Sequence, residues 1–511
     1  MRFNSYEFIF VFLPAVWLGW RALLGAGKHR AGVAWLCLGS LVFYGYWNWL
    51  YLPLLTGSLV INFLIGGRLS RQGPSWNRRF LLGLGLAWNI GLLGYFKYSN
   101  FLLENVEALT GAHWTLDKVI LPLGISFFTF QKIAFLVDAW RGQVRDVHFL
   151  DFTLFVLFFP QLIAGPIVHH GEFIPQLKEA STWKFDVRRT LLGICLFSAG
   201  LFQKSVVADT LAPLADSTFG LITIGTRLRL FEAWTGVGAY SLQLFFDFAG
   251  YSHMALGLAL FFGFRLPVNF MAPYRAGSVI EFWRRWHITL SSFLRDYVYI
   301  PLGGSRRGFG RHLGNLMVTM TLAGLWHGAG WTFVLWGAFH GVALVLNHLW
   351  RRMRGTAATR GPASLGAHLL TLATIAFGWV LFRASDLASA RLLFESLLGL
   401  HGVSVPVAWA PWVEALAPVV RPRGLYPNLH AAPTVLLVLG TAAVLAVAGP
   451  FLLKWFGTTA SDITSPGTVR PEELSPAASG PGYTRLAVAG MAFALGVAAL
   501  SRSSPFLYFQ F

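Results

Sequence analysis

Long apolar runs, separated by short polar or basic tracts, follow one another from end to end of the chain. The runs cover 6–24, 31–50, 52–67, 80–98, 119–137, 148–166, 190–208, 236–262, 313–326, 331–350, 366–383, 433–453 and 484–500. Most come near the roughly 20 apolar residues that a helix needs to cross a bilayer. The pattern predicts an all-α polytopic membrane protein, a bundle of about 11–13 transmembrane or re-entrant helices. Several runs carry helix breakers, most visibly 119–137 with Leu121-Pro122-Leu123-Gly124. Irregular backbone at membrane depth is tolerated only where protein or a water-filled cavity covers it. The first run follows Asn4, Ser5 and Glu7 and is followed by Lys28 and Arg30 without a small-residue cleavage site. It reads as a retained first helix rather than a cleaved signal.

Two shorter patterns stand apart. Over Ser278–Arg295 the apolar residues Val279, Phe282, Trp283, Trp286, Leu290, Phe293 and Leu294 recur at helical spacing, with Glu281, Arg284, Arg285 and Arg295 largely elsewhere. This predicts one basic, Trp-rich amphipathic helix, the kind that lies in a membrane interface. His287 sits on its apolar margin, a position that can point into the protein. The second pattern is TLAGLWHGAGWTFVLWGAFHG, residues 321–341, apolar yet holding His327 and His340. Gly328 and Gly330 are expected to interrupt the helix there.

Composition agrees with a membrane location. The 511 residues are 55% hydrophobic and only 12% charged, with mean hydropathy +0.57, against about 25% charged in an ordinary soluble chain. Lys and Arg outnumber Asp and Glu 40 to 22. The excess falls in loops between apolar runs, which fits the positive-inside rule and anionic lipid head groups rather than nucleic acid. Lys28 and Arg30, then Arg68, Arg71, Arg78 and Arg79, place the first and third loops in the cytoplasm and the N-terminus outside. Between Tyr274 and Arg311 seven arginines face two acidic residues, so this segment is cytoplasmic as well. Arg351, Arg352 and Arg354 point the same way, making 313–350 a hairpin with His327 near its turn. Cys37 and Cys195 lie in apolar runs and form no metal-ligand or disulfide spacing. Residues 401–430 read as a surface loop and about 454–483 as a flexible linker rich in Pro, Ser, Thr and Gly.

Ionisable groups inside membrane spans are functional candidates by default. For His327 the alternatives are a structural hydrogen bonder and a general base that small flanking residues leave open to a substrate. His340 lies 13 residues on, about 220° around a continuous helix, so the two rings would not share a face. It reads as structural. Asp247 and Tyr251, spaced i, i+4 near one end of an apolar span with His253 beside them, form either a packing cluster or the lining of a substrate path. His169 and His170 read as loop. Walker-type loops, dinucleotide fingerprints and the H-E-x-x-H zinc spacing are absent from the sequence, and no metal site is expected.

Several segments taken in order resemble the membrane-bound O-acyltransferases, in the branch of the bacterial alginate O-acetyltransferase membrane subunit and related polysaccharide and peptidoglycan O-acetyltransferases. They are FNSYEFIFVFLP (3–14), LPLGISFFTFQKIAFLVDAWRG (121–142), FFPQLIAGPIVH (158–169), FDFAGYSHMALGLALFFGF (246–264), EFWRRWHITLSSFLRDYVYIPLGGSR (281–306), LWHGAGWTFVLWGAFHG (325–341) and PFLYFQF (505–511). The sequence departs from the alginate branch at His253, where an acidic residue is expected. The resemblance implies a single membrane domain over 1–511: N-terminal helices to 235, a catalytic core over 236–350 and C-terminal helices over 351–511, around a central tunnel. It implies His327 as the catalytic histidine and His287 as the second. Trp326, Arg284, Arg285, Trp283, Asp247 and Tyr251 are the candidate substrate-binding residues. It further implies acetyl-CoA as acyl donor, no tightly bound cofactor, membrane lipid as surroundings, a periplasmic acetyltransferase partner and an extracytoplasmic polysaccharide acceptor, alginate-like first. The expected location is the bacterial inner membrane. The competing reading of the same broken helices and histidines is a transporter or flippase for an acyl or polysaccharide precursor.

Overall fold

In the computed structural model the described residues are 1–71, 75–111, 119–354, 364–405, 420–422, 432–455, 482–502, 504, 506 and 507. The expected linker over about 454–483 and most of the expected surface loop over 401–430 lie outside them. The regular elements among the described residues are helices apart from one pair of three-residue parallel strands, Val403–Val405 and Val420–Pro422. Seven of the described helices are long and apolar enough to cross a membrane: Glu7–Gly25, Trp49–Ser70, Asn77–Thr110, Val187–Thr223, Leu230–Phe261, Trp331–Arg354 and Leu365–Arg383.

Other expected runs are broken, each for a local reason. The run 119–137 becomes a helix only from Ile125, because Gly124 takes a left-handed conformation (φ 71°) at its start. A Cβ there would lie 2.8 Å from the Leu162 carbonyl oxygen, so only glycine fits. The run 148–166 splits at Phe158 into Phe149–Leu157 and a single turn, Phe159–Leu162, with Pro160 inside that turn. The expected amphipathic helix of 278–295 is two short helices, Val279–Arg285 and Ile288–Leu294. Its apolar residues Phe282, Trp286, Leu290 and Phe293 are buried within the protein, which excludes a helix lying with its apolar face in lipid.

The chain forms two compact units. One holds 1–202, 249–269 and 452–503; the other holds 203–248, 270–451 and 504–511. In the first, Phe8, Phe12, Phe43 and Phe159 form a ring-on-ring core. Lys132 Nζ, fully buried, donates to Ser58 Oγ at 2.6 Å and stands over the Phe128 ring. The Val187–Phe202 and Leu230–Phe261 helices cross there backbone to backbone. A Cβ on Gly193 would lie 2.7 Å from the Gly257 oxygen, and one on Gly257 would lie 2.5 Å from the Gly193 oxygen. Small residues allow such crossings in membranes, where close packing rather than water drives association. Gly257→Ala is therefore expected to destabilise the protein by about 1–3 kcal/mol, the usual cost of overpacking. The check is thermal unfolding in detergent, with Gly238→Ala, where an added Cβ meets nothing within 4 Å, as the neutral control.

In the second unit the Phe309–His327 and Trp331–Arg354 helices form the expected hairpin. Gly324 and Gly337 bring their backbones together: a Cβ on either would lie within 2.3 Å of a carbonyl oxygen of the other helix. This close hairpin fixes the position of the site.

Candidate active site

His327 is the last residue of the Phe309–His327 helix, and Gly328 stops that helix in an extended conformation (φ −156°, ψ 151°). The next helix starts three residues later at Trp331. The sequence Trp-His-Gly-Ala-Gly thus sets an imidazole at a helix end inside a membrane protein. The ring is only 6% exposed and is walled by aromatic rings standing edge-on. These are Trp326 (centroids 4.8 Å apart), Trp336 (5.0 Å) and Phe382 (5.1 Å).

His287 occupies the break between the two short helices, in a left-handed conformation (φ 43°, ψ 56°). A non-glycine residue there is strained by about 1–3 kcal/mol and persists where its surroundings fix it. The surroundings are on hand: Trp286 is clamped by Phe270, Phe282 and Trp379, and the His287 ring, 1% exposed, stands edge-on to Phe248 at 4.8 Å. Another ring beside it is Trp326, at 6.3 Å. One indole therefore touches both expected catalytic histidines.

A second indole repeats the arrangement. Trp336 packs edge-on against His327 and, at 5.0 Å, against His340, which is fully buried. Trp283 closes on the same pair, 5.7 Å from Trp336 and 5.1 Å from His340. The rings run His287, Trp326, His327, Trp336, His340. His340 thus belongs to the cluster, although the angle counted along a continuous helix separated it from His327. The helix break restarts that count, and Trp336, four residues before His340, shares its face. That i, i+4 pair was the signal in the sequence.

The other expected site residues have these surroundings. Arg284 is exposed. Arg285 pairs with Glu281 at 2.8 Å and donates to the Met271 carbonyl oxygen. Asp247 is occupied as an acceptor: Lys204 Nζ lies at 2.8 Å and the Leu507 backbone N–H donates to it at 2.9 Å. Tyr251, in the first unit, stacks on Phe3 at 4.6 Å. Of the six expected substrate-binding residues, the structure brings Trp326 and Trp283 to the histidine cluster. Among the described residues no group of three His, Cys, Asp or Glu side chains is placed to hold a metal ion.

Asn is the non-glycine side chain that best accepts a left-handed backbone. His287→Asn is therefore expected to keep the fold, with a melting temperature close to wild type, while the acyl transfer that the resemblance implies falls at least about 10²-fold, the low end of what one oxyanion-stabilising donor contributes. Initial rates and thermal unfolding on the same preparation check this. Wild-type rates would leave His287 a packing residue.

Comparison with known sequences adds identity to this geometry. The family model described as MBOAT, membrane-bound O-acyltransferase family, matches residues 75–367, which include all three histidines. A peptidoglycan O-acetyltransferase of Helicobacter pylori is 43% identical over 431 residues, covering 79% of this chain and 81% of the relative. A probable alginate O-acetylase AlgI of Pseudomonas aeruginosa is 40% identical over 404 residues, 78% of this chain and 75% of the relative. A teichoic acid D-alanyltransferase of Streptococcus thermophilus is 31% identical over 250 residues, 46% of this chain and 58% of the relative.

Proposed function

This chain belongs to the membrane-bound O-acyltransferase family, and from that premise we propose that it carries an acetyl group from a cytoplasmic thioester, acetyl-CoA, to the hydroxyl of an extracytoplasmic polysaccharide. Alginate-like exopolysaccharide and the glycan of peptidoglycan are the acceptors that the relatives' names put forward. A periplasmic acetyltransferase partner receives the group first and hands it on. The enzyme sits in the inner membrane with its N-terminus outside, as the basic loops require.

The observation that carries the reading is His327 at a helix end, in an aromatic chamber shared with a second buried histidine. In the reaction a ring nitrogen of His327 takes the proton of the acceptor hydroxyl. The hydroxyl oxygen forms a bond to the thioester carbonyl carbon, and the carbon–sulfur bond breaks. The leaving thiolate takes the proton back from the imidazolium, so the histidine is restored. His287 orients the reactants beside Trp326. The arginines between 275 and 311, with Arg284 exposed among them, attract the phosphates of the donor to the cytoplasmic side.

The test is release of free thiol from acetyl-CoA by the purified full chain in proteoliposomes, with and without the acceptor. Acceptor-dependent release is the expected result. Movement of a labelled precursor across the vesicle without thiol release would establish a transporter instead.

A further inference from the structure

One cleft of the first unit is lined by charge and shares no residue with the histidine cluster. It has a volume of about 240 Å³, and Arg21, Lys184, Asp186 and Arg189 line it together with Phe185 and residues 260–263. Its walls are tied to one another. Trp183 stacks on His29 at 5.1 Å and packs against Trp20 at 5.8 Å, which sets Lys184 beside Arg21 of the first span. Arg189 donates to the carbonyl oxygens of Ser181 and Gly263, both at 3.3 Å.

The charges on the cleft do not balance. Asp186 is already committed: one carboxylate oxygen accepts from the Arg189 backbone N–H at 3.1 Å, and the other lies 3.8 Å from the Arg189 guanidinium. Arg189 is used in turn by that carboxylate and two carbonyls. Arg21 and Lys184, by contrast, have no hydrogen bond and no ion pair among the described residues. Arg21 is half-buried, with its guanidinium over the Phe185 ring at 4.8 Å. That contact holds the group in place but gives its N–H donors no acceptor. Two like charges on one cleft repel, and an anion between them turns the repulsion into attraction. A metal cation would add to the surplus, and a neutral sugar would leave both side chains unpaired.

The depth of the cleft selects the anion. Arg21 is four residues from the end of the Glu7–Gly25 span, Lys184 is three residues before the Val187–Thr223 span, and residues 260–263 close the Leu230–Phe261 span. The cleft therefore lies where three spans end, on the side that Lys28 and Arg30 assign to the cytoplasm. Leu18, Val187 and Ile194, on two of those spans, are exposed, an apolar surface suited to acyl chains. The anion present at that level is phosphate, carried by phospholipid headgroups, and anionic phospholipids give the cytoplasmic leaflet its negative potential.

We propose that Arg21 and Lys184 form a phosphate-binding site whose occupant is the headgroup of an anionic phospholipid, with Arg189 holding the shape of the cleft. The site is a lipid anchor at the cytoplasmic ends of the first unit's helices, and its test does not depend on turnover.

The test uses the full-length protein in neutral detergent with three probes: phosphatidylglycerol, phosphatidylcholine and sodium phosphate. Lipid retention by native mass spectrometry and thermal unfolding are the readouts. Wild type is expected to retain phosphatidylglycerol in preference to phosphatidylcholine and to be stabilised by it against heat. Arg21→Gln and Lys184→Gln each weaken phosphatidylglycerol binding about tenfold, the low end of what a hydrogen bond to a charged group contributes. Arg21→Lys, which keeps the charge, keeps most of the binding. Lys28→Gln, in the same basic loop but not on the cleft, binds as wild type. Lys184 is exposed, so Lys184→Gln carries the test even where Arg21→Gln fails to fold. Equal binding by wild type and Lys184→Gln overturns the proposal, as does equal retention of the two lipids by wild type. A loss in Lys28→Gln as large as in Lys184→Gln overturns it in favour of diffuse charge attraction. Stabilisation by sodium phosphate without any by phosphatidylglycerol overturns the lipid as occupant in favour of a soluble phosphate compound.

Discussion

Replacing His327 with alanine is expected to lower acyl transfer by about 10²- to 10⁴-fold, the range that a positioned general base supplies, while the protein still inserts and folds. The position argues for the size of the effect. The imidazole ends a helix, so its side chain is not committed to the helix's own packing ladder. It is nonetheless 6% exposed and held on three sides by Trp326, Trp336 and Phe382. A ring so constrained meets its substrate in one orientation, and orientation is where much of the rate comes from. Alanine leaves a cavity among those rings, so His327→Asn, which fills more of it, is the control for stability. Rates should fall in both variants, and the melting temperature of the asparagine variant should stay near wild type. Appreciable turnover in a well-folded variant would remove His327 from the role of base.

How far the sequence disclosed this site depends on the distance over which each feature is encoded. The hairpin and its break are local. Gly328 and Gly330 lie within three residues of His327, and the basic tracts at both ends fix the fold-back, so His327 at the turn was readable. His287 at a second break was not. Trp286-His287 contains neither Gly nor Pro, and the residues around it keep a helical apolar period across the break. The left-handed backbone there is imposed by distant rings, Phe270 and Trp379 on Trp286 and Phe248 on His287, which periodicity cannot sense. The contact between His340 and Trp336 was hidden for the reverse reason, since an angle measured along one helix loses its meaning once the helix is interrupted. Asp247 reads in the sequence as part of a packing cluster or as the lining of a substrate path, whereas its partner lies 43 positions earlier and its backbone donor at residue 507. No local pattern joins them.

That partner gives the largest stability effect expected of this chain. Lys204 Nζ lies 2.6 Å from Asp209 and 2.8 Å from Asp247, and it donates to both the carbonyl and hydroxyl oxygens of Ser504 at 3.2 Å. The lysine side chain is 1% exposed and the carboxylates 4% and 2%. One buried cation therefore serves two carboxylates, and Ser504 also donates to Asp209. Lys204→Met removes the cation and leaves both carboxylates stranded, at an expected cost of about 3–5 kcal/mol. The triple variant Lys204→Met/Asp209→Asn/Asp247→Asn should recover much of this, because removing a whole buried network costs far less than breaking it. Thermal unfolding of the two variants decides the matter. A single variant as stable as wild type would show that the network contributes nothing. The consequence reaches the site. Asp247 immediately precedes Phe248, whose ring stands against His287, and Leu507 is tied to Asp247 by its backbone. Freeing Asp247 loosens the support of a histidine held in a strained backbone, so Lys204→Met should also lose acyl transfer at temperatures well below its melting point. In the triple variant the amide introduced by Asp247→Asn can still accept from the Leu507 N–H, so that variant should keep more of the activity than the single one.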